Sequence, residues 1–136
     1  MAFRAARYSE IVYALMRFLI GLNFAVHGAQ KLFGFPTGHP ITGKPLMMVA
    51  GAIEFFGGLL VAFGLLTRIA AVIAAGEMAV AYFMVHAPGG FWPLLNKGEL
   101  AVAYCFVFLF IAVHGGGLYS LDHALSRRRR TVFAHA

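Results

Sequence analysis

Long apolar runs alternate along this chain with short clusters of Gly, Pro and charge. Four runs come close to the roughly 20 residues with which a helix crosses a hydrocarbon core about 30 Å thick. They are Ile11–Phe33, Leu46–Leu66, Ile69–Ala87 and Glu99–Leu118. The pattern predicts helices, because lipid offers backbone N–H and C=O groups no partner outside the protein. Gly34-Phe35-Pro36, then Gly38 and Pro40, interrupt it after the first run, and Pro88-Gly89-Gly90 does so after the third. Only Thr67-Arg68 separates the second run from the third, which predicts a tight antiparallel hairpin. No intervening stretch is long enough for a second domain. The expected architecture is all-α: one transmembrane four-helix bundle over residues 1–136, ending in a basic tail over 123–136.

Composition points to the same solvent. The 136 residues are 61% hydrophobic and 12% charged, with a mean hydropathy of +0.80. A soluble domain is about half apolar and about a quarter charged, and one this small leaves much of its surface exposed. The bilayer is therefore the first expected partner. Basic residues divide unevenly between the ends of the runs. Arg4, Arg7, Arg68 and Arg127–Arg130 make seven on one side, against Lys31, Lys44 and Lys97 on the other. The positive-inside bias then predicts cytoplasmic termini and a cytoplasmic second loop. Phe91 and Trp92 on the outer side, with Tyr8, Tyr13 and Tyr119 near the inner ends, fit interfacial anchors. The first run starts basic but shows no small-x-small cleavage site before His27, so it is expected to be retained rather than removed as a signal peptide. The pI near 10.0 comes from the same helix-end charges. These suit anionic lipid; nucleic acid is not an expected partner.

Candidate chemistry lies in the polar residues within the runs. Such groups are costly in lipid and usually face the bundle interior or a wet cavity. Sorted by depth, they form an outer layer of His27, Lys31, Glu54, His86 and Glu99. An inner layer holds Arg17, His114, Ser120 and Asp122, with Glu77 between the two. Arg17 and Asp122 meet one interface, where an ion pair would close the inner end. His27 and Lys31 lie four apart and share a helix face. Glu99, Ala103, Phe106, Phe110 and His114 fall on one stripe, expected to turn towards the other helices. Glu54 and Glu77 have no basic residue within four positions, so each needs a partner from another helix or stays protonated. A carboxyl group beside a neutral His suits proton uptake and release. His and Glu are also ligand types for iron, copper or zinc, but no Glu-x-x-His or His-x-x-x-His spacing joins them. Cys105 is the only cysteine, so it forms no intrachain disulfide and is expected to pack as a small apolar group. Gly51, Ala52, Gly57, Gly58, Ala62 and Gly64 on the second run are expected to allow close helix approach.

Arg17-Phe-Leu-Ile-Gly21, followed by His27-Gly28-Ala-Gln-Lys31-Leu32, resembles the first-helix signature of the DoxX family. Gly51-Ala-Ile-Glu54-Phe-Phe-Gly57-Gly58, continuing through Gly64-Leu-Leu-Thr67-Arg68, is similar to its second helix. Gly98-Glu99-Leu-Ala and Gly115-Gly-Gly-Leu-Tyr-Ser120-Leu-Asp122 are similar to its fourth-helix start and closing motif. The resemblance covers residues 11–125. It implies a small multi-pass protein of the bacterial cytoplasmic (inner) membrane, linked to redox metabolism. Arg17, His27, Lys31, Glu54, Glu99, Ser120 and Asp122 match the family pattern, whereas Glu77 stands where a smaller or apolar residue is common.

The expected function is that of a quinone-interacting subunit of a membrane oxidoreductase system. His27, Lys31, Glu54 and Glu99 are the candidates for proton chemistry. His27, Lys31, Glu54 and His86 are the candidates for holding a quinone, with Phe55 or Phe106, or else Phe56 or Phe83, flanking the ring. Electrons would have to come from a partner, such as a soluble redox enzyme on the cytoplasmic side, or from the substrate itself. A homodimer is compatible with the small-residue helix. Two other classes stay open. One is a non-catalytic anchor or assembly partner that recruits a soluble oxidoreductase through the Arg-rich tail. The other is a proton-coupled transporter, or a haem- or metal-binding protein, using the same His and Glu residues. A quinone site requires space between the outer halves of the first two helices. Tight packing there, with Glu54 bonded only to His27 or Lys31, would contradict it.

Overall fold

A computed structural model describes residues 2–41 and 44–133, with side chains placed for 7–41 and 44–128. Arg4, Arg129 and Arg130 of the charge pattern, as side chains, and residues 134–136 of the expected tail lie outside this set. All regular structure among the described residues is helical. Helix α1 is Ala2–Phe33, α2 is Pro45–Phe63 and α3 is Thr67–Gly89. A single turn, α4 (Pro93–Asn96), precedes α5 (Glu99–His114) and α6 (Leu121–Phe133). Arg7–Phe33 within α1, together with α2 and α3, are long and apolar enough to cross a membrane. At 16 residues α5 is apolar but shorter; it rises about 24 Å against a core of about 30 Å.

Several boundaries differ from the hydrophobic pattern, each for a backbone reason. The second helix stops at Phe63 rather than Leu66, because Gly64 turns left-handed at φ 71°. The fourth apolar helix stops at His114 rather than Leu118, where Gly115 takes φ 87°. Beyond it the basic tail is helical. Ser120 caps α6 by accepting the His123 N–H at 3.2 Å, the usual role of a serine at a helix start.

Two kinds of packing join the helices. Between α1 and α2, glycine lets the backbones touch: a Cβ on Gly58 would fall 2.5 Å from the Ala25 nitrogen and 2.6 Å from the Gly21 oxygen. Gly51 faces Lys31 and Leu32 in the same seam, whereas a Cβ on Gly57 would meet nothing within 4 Å. Gly57 is therefore not one of the packing glycines. Between α3 and α5, an alanine face (Ala70, Ala71, Ala74, Ala75) receives the large side chains of Phe108 and Ile111. Only about a third of the apolar window in each long span is buried (28–33%). The remaining apolar surface matches a lipid solvent rather than water.

The polar residues at the arginine-rich end act as caps for one another's helices. Arg17, only 2% exposed, donates from Nη1 to the Val61 and Ala62 carbonyls at the end of α2, and from Nη2 to the Tyr119 carbonyl at 2.8 Å. Asp122 accepts from the Leu66 N–H (2.8 Å), the Thr67 N–H (2.9 Å) and the Thr67 hydroxyl (2.7 Å) at the start of α3. The Asp122 N–H donates back to the Gly64 carbonyl at 2.9 Å. Arg68 donates to the carbonyls of Ala112 (2.9 Å) and Val113 (2.6 Å), and Tyr13 to that of Gly115, closing the end of α5. The expected Arg17–Asp122 ion pair does not form; Lys31–Glu54 is the one salt bridge among the described residues. The reason is local electrostatics. A cation is drawn to the carbonyl end of one helix and an anion to the amide end of the next, and the hairpin turn presents both ends together.

Asp122 lies outside the spans, and its titration follows from these bonds. Burial alone would push its carboxyl up, but the Thr67 and Leu66 donors and the Arg17 charge outweigh that and hold it below the ordinary value of 3.8. A group with a depressed folded-state value stabilises the fold above its unfolded-state value and loses that contribution as pH falls through the folded one. Asp122→Ala is therefore expected to cost about 0.5–2 kcal/mol near neutral pH, the usual range for a lost helix cap. It should also flatten the fall in melting temperature on acidification below the ordinary carboxylate range. Thermal unfolding of the detergent-solubilised protein against pH checks both.

Candidate functional site

At the opposite end, α1, α2, α3 and α5 enclose a cleft of about 320 Å³, near the lower limit for pockets that hold small organic ligands. Its polar lining is His27 and Lys31 from α1, Glu54 from α2, Glu77 and His86 from α3, Lys97, and Tyr104 from α5. Phe24, Met47, Met78 and Leu100 are among its apolar walls.

Local helix geometry presents two of these residues. Glu54 lies in a π-helical turn, Ile53–Gly57, and His86 in a second one, Tyr82–His86. A π turn inserts about one extra residue and so rotates the remainder of the helix about its axis; such turns often accompany functional sites. Glu54 forms an ion pair with Lys31, their side chains being 5% and 19% exposed. His86 Nδ1 lies 3.1 Å from the Asn96 carbonyl, and its ring stacks on Tyr82 at 6.5 Å. A carbonyl only accepts, so Nδ1 carries a hydrogen and Nε2 is the nitrogen left for other bonding. Tyr104 is fixed by rings on three sides: Phe24 at 5.4 Å, Phe108 at 5.7 Å and, edge-on, His27 at 6.2 Å.

Two residues of the cleft carry unpaired buried polar atoms. Among the described residues, three buried side-chain N or O atoms lack a hydrogen-bond partner: Arg17 Nε, Glu77 Oε2 and the Tyr104 hydroxyl. Arg17 has its other two nitrogens bonded. The other two atoms both belong to cleft residues, and burying such a group unpaired costs roughly 1–3 kcal/mol.

Four expected site residues meet here: His27, Lys31, Glu54 and His86. Glu77, unassigned from the sequence, joins them. The space they line lies among four helices and not, as expected, between the outer halves of α1 and α2, which pack backbone to backbone with Glu54 bonded to Lys31. Glu99, Phe55 and Phe106 lie outside the cleft. Glu99 and Phe106 are exposed, as are Phe56 and Phe83, while Phe55 packs between Phe33 and Phe56. Phe106 follows Tyr104 by two residues, about 200° round a regular α-helix, and so leaves the face that carries Tyr104. The stripe of Glu99, Ala103, Phe106, Phe110 and His114 is exposed throughout. The face that turns inward is Ala101, Tyr104, Phe108 and Ile111, a 3-4-3 spacing visible in the sequence. Tyr104 was thus findable from periodicity; Lys97 carried no signal beyond its charge. Cys105 is partly buried against the core. No group of three or more His, Cys, Asp or Glu among the described residues is arranged to hold a metal ion.

The pairing of Lys31 with Glu54 can be separated from any ligand role. Lys31→Met leaves the carboxylate buried and alone, and should destabilise more than Lys31→Met/Glu54→Gln, in which both charges are gone. A coupling energy of about 1–3 kcal/mol from a double-mutant cycle, measured by unfolding in detergent, is the expected result.

Comparison with known proteins gives the chain relatives along most of its length. An uncharacterised protein of Haemophilus influenzae is 37% identical over 129 residues, covering 90% of this chain and 96% of the relative. The inner membrane protein YqjF of Escherichia coli is 28% identical over 132 residues, covering 90% and 98%. CatD of Bacillus subtilis, provisionally named an oxidoreductase, is 32% identical over 118 residues, covering 83% and 86%. No solved structure gives a significant match. The DoxX family model matches residues 12–87, which hold Arg17, the glycine seam and all the cleft residues except Lys97 and those of α5. With spans of this length and a relative named for the inner membrane, the chain is a bacterial inner-membrane protein of the DoxX family.

Proposed function

We propose that the cleft binds the ring of a quinone or its hydroquinone, as part of a membrane redox system whose electrons come from a partner or from the reducing substrate. The observation that carries this is the pair of orphaned atoms, Glu77 Oε2 and the Tyr104 hydroxyl, in one ligand-sized cleft. A quinone ring is flat and apolar with a carbonyl at each end, so it needs an apolar slot, hydrogen-bond donors and proton sources. Phe24 and Met78 supply apolar wall; Tyr104, His27 and Lys97 supply donors; Glu77 and the Lys31–Glu54 pair hold exchangeable protons. Reduction to hydroquinone takes up two electrons and two protons, and only the protons have an evident source in this chain. That CatD of Bacillus subtilis is named provisionally as an oxidoreductase adds support.

In this proposal α5 also crosses the bilayer, with both termini in the cytoplasm. Support comes from the arginine-rich end, where Arg17, Arg68 and Asp122 cap the helices, opposite the exposed Phe91 and Trp92. The basic helix α6 is an observation that favours recruitment of a soluble oxidoreductase instead. Loss of function in cells on deleting residues 127–136, with ring binding unchanged, would favour that anchor role.

Tyr104→Phe and Glu77→Leu each remove one unpaired buried polar atom. Stability is expected to hold or rise, by up to about 1 kcal/mol, while affinity for a soluble benzoquinone falls about three- to tenfold. Titration of the purified protein, with unfolding measured alongside, checks this. Absence of binding by the unmodified protein, or an affinity in both variants equal to that of the unmodified protein, would overturn the proposal.

A further inference from the structure

A second hollow, of about 270 Å³, runs between α2 and α3. Val49 and Ile53 border it on one side, and Ile73, Gly76 and Val80 on the other. It adjoins the cleft, with Met47, Ala50, Glu77, Ala81 and Val85 lining both. Glu77 is its only ionisable lining residue, and Val49, Ile73, Val80 and Met84 are exposed on its outer side. Because α2 and α3 are both long and apolar enough to span, that exposed side faces acyl chains.

Gly76 stands out in this wall. Small residues in membrane helices ordinarily let backbones pack closely, as Gly58 does here, but a Cβ on Gly76 would meet nothing within 4 Å. Glycine also weakens a helix relative to alanine. Gly76 leaves this stretch of the wall open.

We propose that the cleft's ligand is an amphiphile, a polar ring bearing a long aliphatic tail. The tail lies in the α2/α3 groove, and the ring enters sideways from the bilayer, past Gly76 to Glu77. The groove has nothing but Glu77 to hold a polar head, whereas the donors are clustered in the cleft; the two hollows together match a molecule with a polar end and an apolar end. This rests on ring binding in the cleft and adds the ligand's class and its route.

Two probes test it on the full chain in detergent: a benzoquinone bearing a decyl tail and the same ring bearing a methyl group, with free concentrations corrected for partition into micelles. The unmodified protein is expected to bind the decyl probe at least about tenfold more tightly, since each buried methylene adds to affinity. Gly76→Leu should fill the groove and cut that preference to within about threefold, leaving the methyl probe's affinity unchanged. Gly76→Ala, which adds one methyl into open space, should keep most of it. Equal binding of both probes by the unmodified protein, or a tail preference that survives in Gly76→Leu, overturns the groove proposal while ring binding stands. Binding of neither probe overturns ring binding, and the groove proposal with it.

Discussion

Inside a bilayer, a polar atom must find its partner within the protein, and this constraint governs both ends of the molecule. At the arginine-rich end it is met almost completely. Carbonyls at the end of α2 take the Arg17 guanidinium, amides at the start of α3 take the Asp122 carboxylate, and the end of α5 takes Arg68 and Tyr13. Each cap comes from another part of the chain, so it fixes helix positions as well as satisfying backbone groups. At the other end, Glu54 is neutralised by Lys31 and His86 is oriented by Asn96, yet Glu77 Oε2 and the Tyr104 hydroxyl stay unpaired. Of the three unpaired buried side-chain atoms among the described residues, Arg17 Nε is at the arginine-rich end, and the other two belong to residues that line a single cleft.

The same contrast separates stability from function. The glycine seam between α1 and α2 holds Lys31 close to Glu54, and the alanine face of α3 admits the aromatic cluster that fixes Tyr104. These contacts stabilise the bundle. The two π turns do not obviously do so; they place Glu54 and His86 on the cleft. Irregular backbone and unpaired polar atoms each lower stability, and their coincidence at one site is what a functional constraint produces.

Much of this was legible in the sequence, and the parts that were not have physical reasons. Hydrophobic length predicted four spans, of which three are long enough to cross while the fourth, expected to reach Leu118, ends at His114; depth along them separated the Lys31–Glu54 end from the Arg17–Asp122 end. The Arg17–Asp122 ion pair was the wrong inference, because counting charges overlooks the helix ends, whose partial charges attract each residue separately. On α5 the polar stripe through Glu99 and His114 misled because those are its first and last residues, where polarity marks water rather than the interior. The apolar spacing through Tyr104 was the better guide. The π turns left no trace, since one inserted residue barely alters a hydrophobic run. Glu77 had no local charge partner to place it, and in the fold it has no hydrogen bond at Oε2 either.

The most direct test of the central claim is an experimental structure of the protein purified with a bound quinone. The account predicts a planar ring in the cleft beside Phe24 and Tyr104. Its oxygen atoms should lie within hydrogen-bonding reach, about 2.5–3.0 Å, of the Tyr104 hydroxyl and of Glu77. A cleft filled by ordered water bridging Glu77 and Tyr104, with the quinone bound elsewhere or absent, would contradict it.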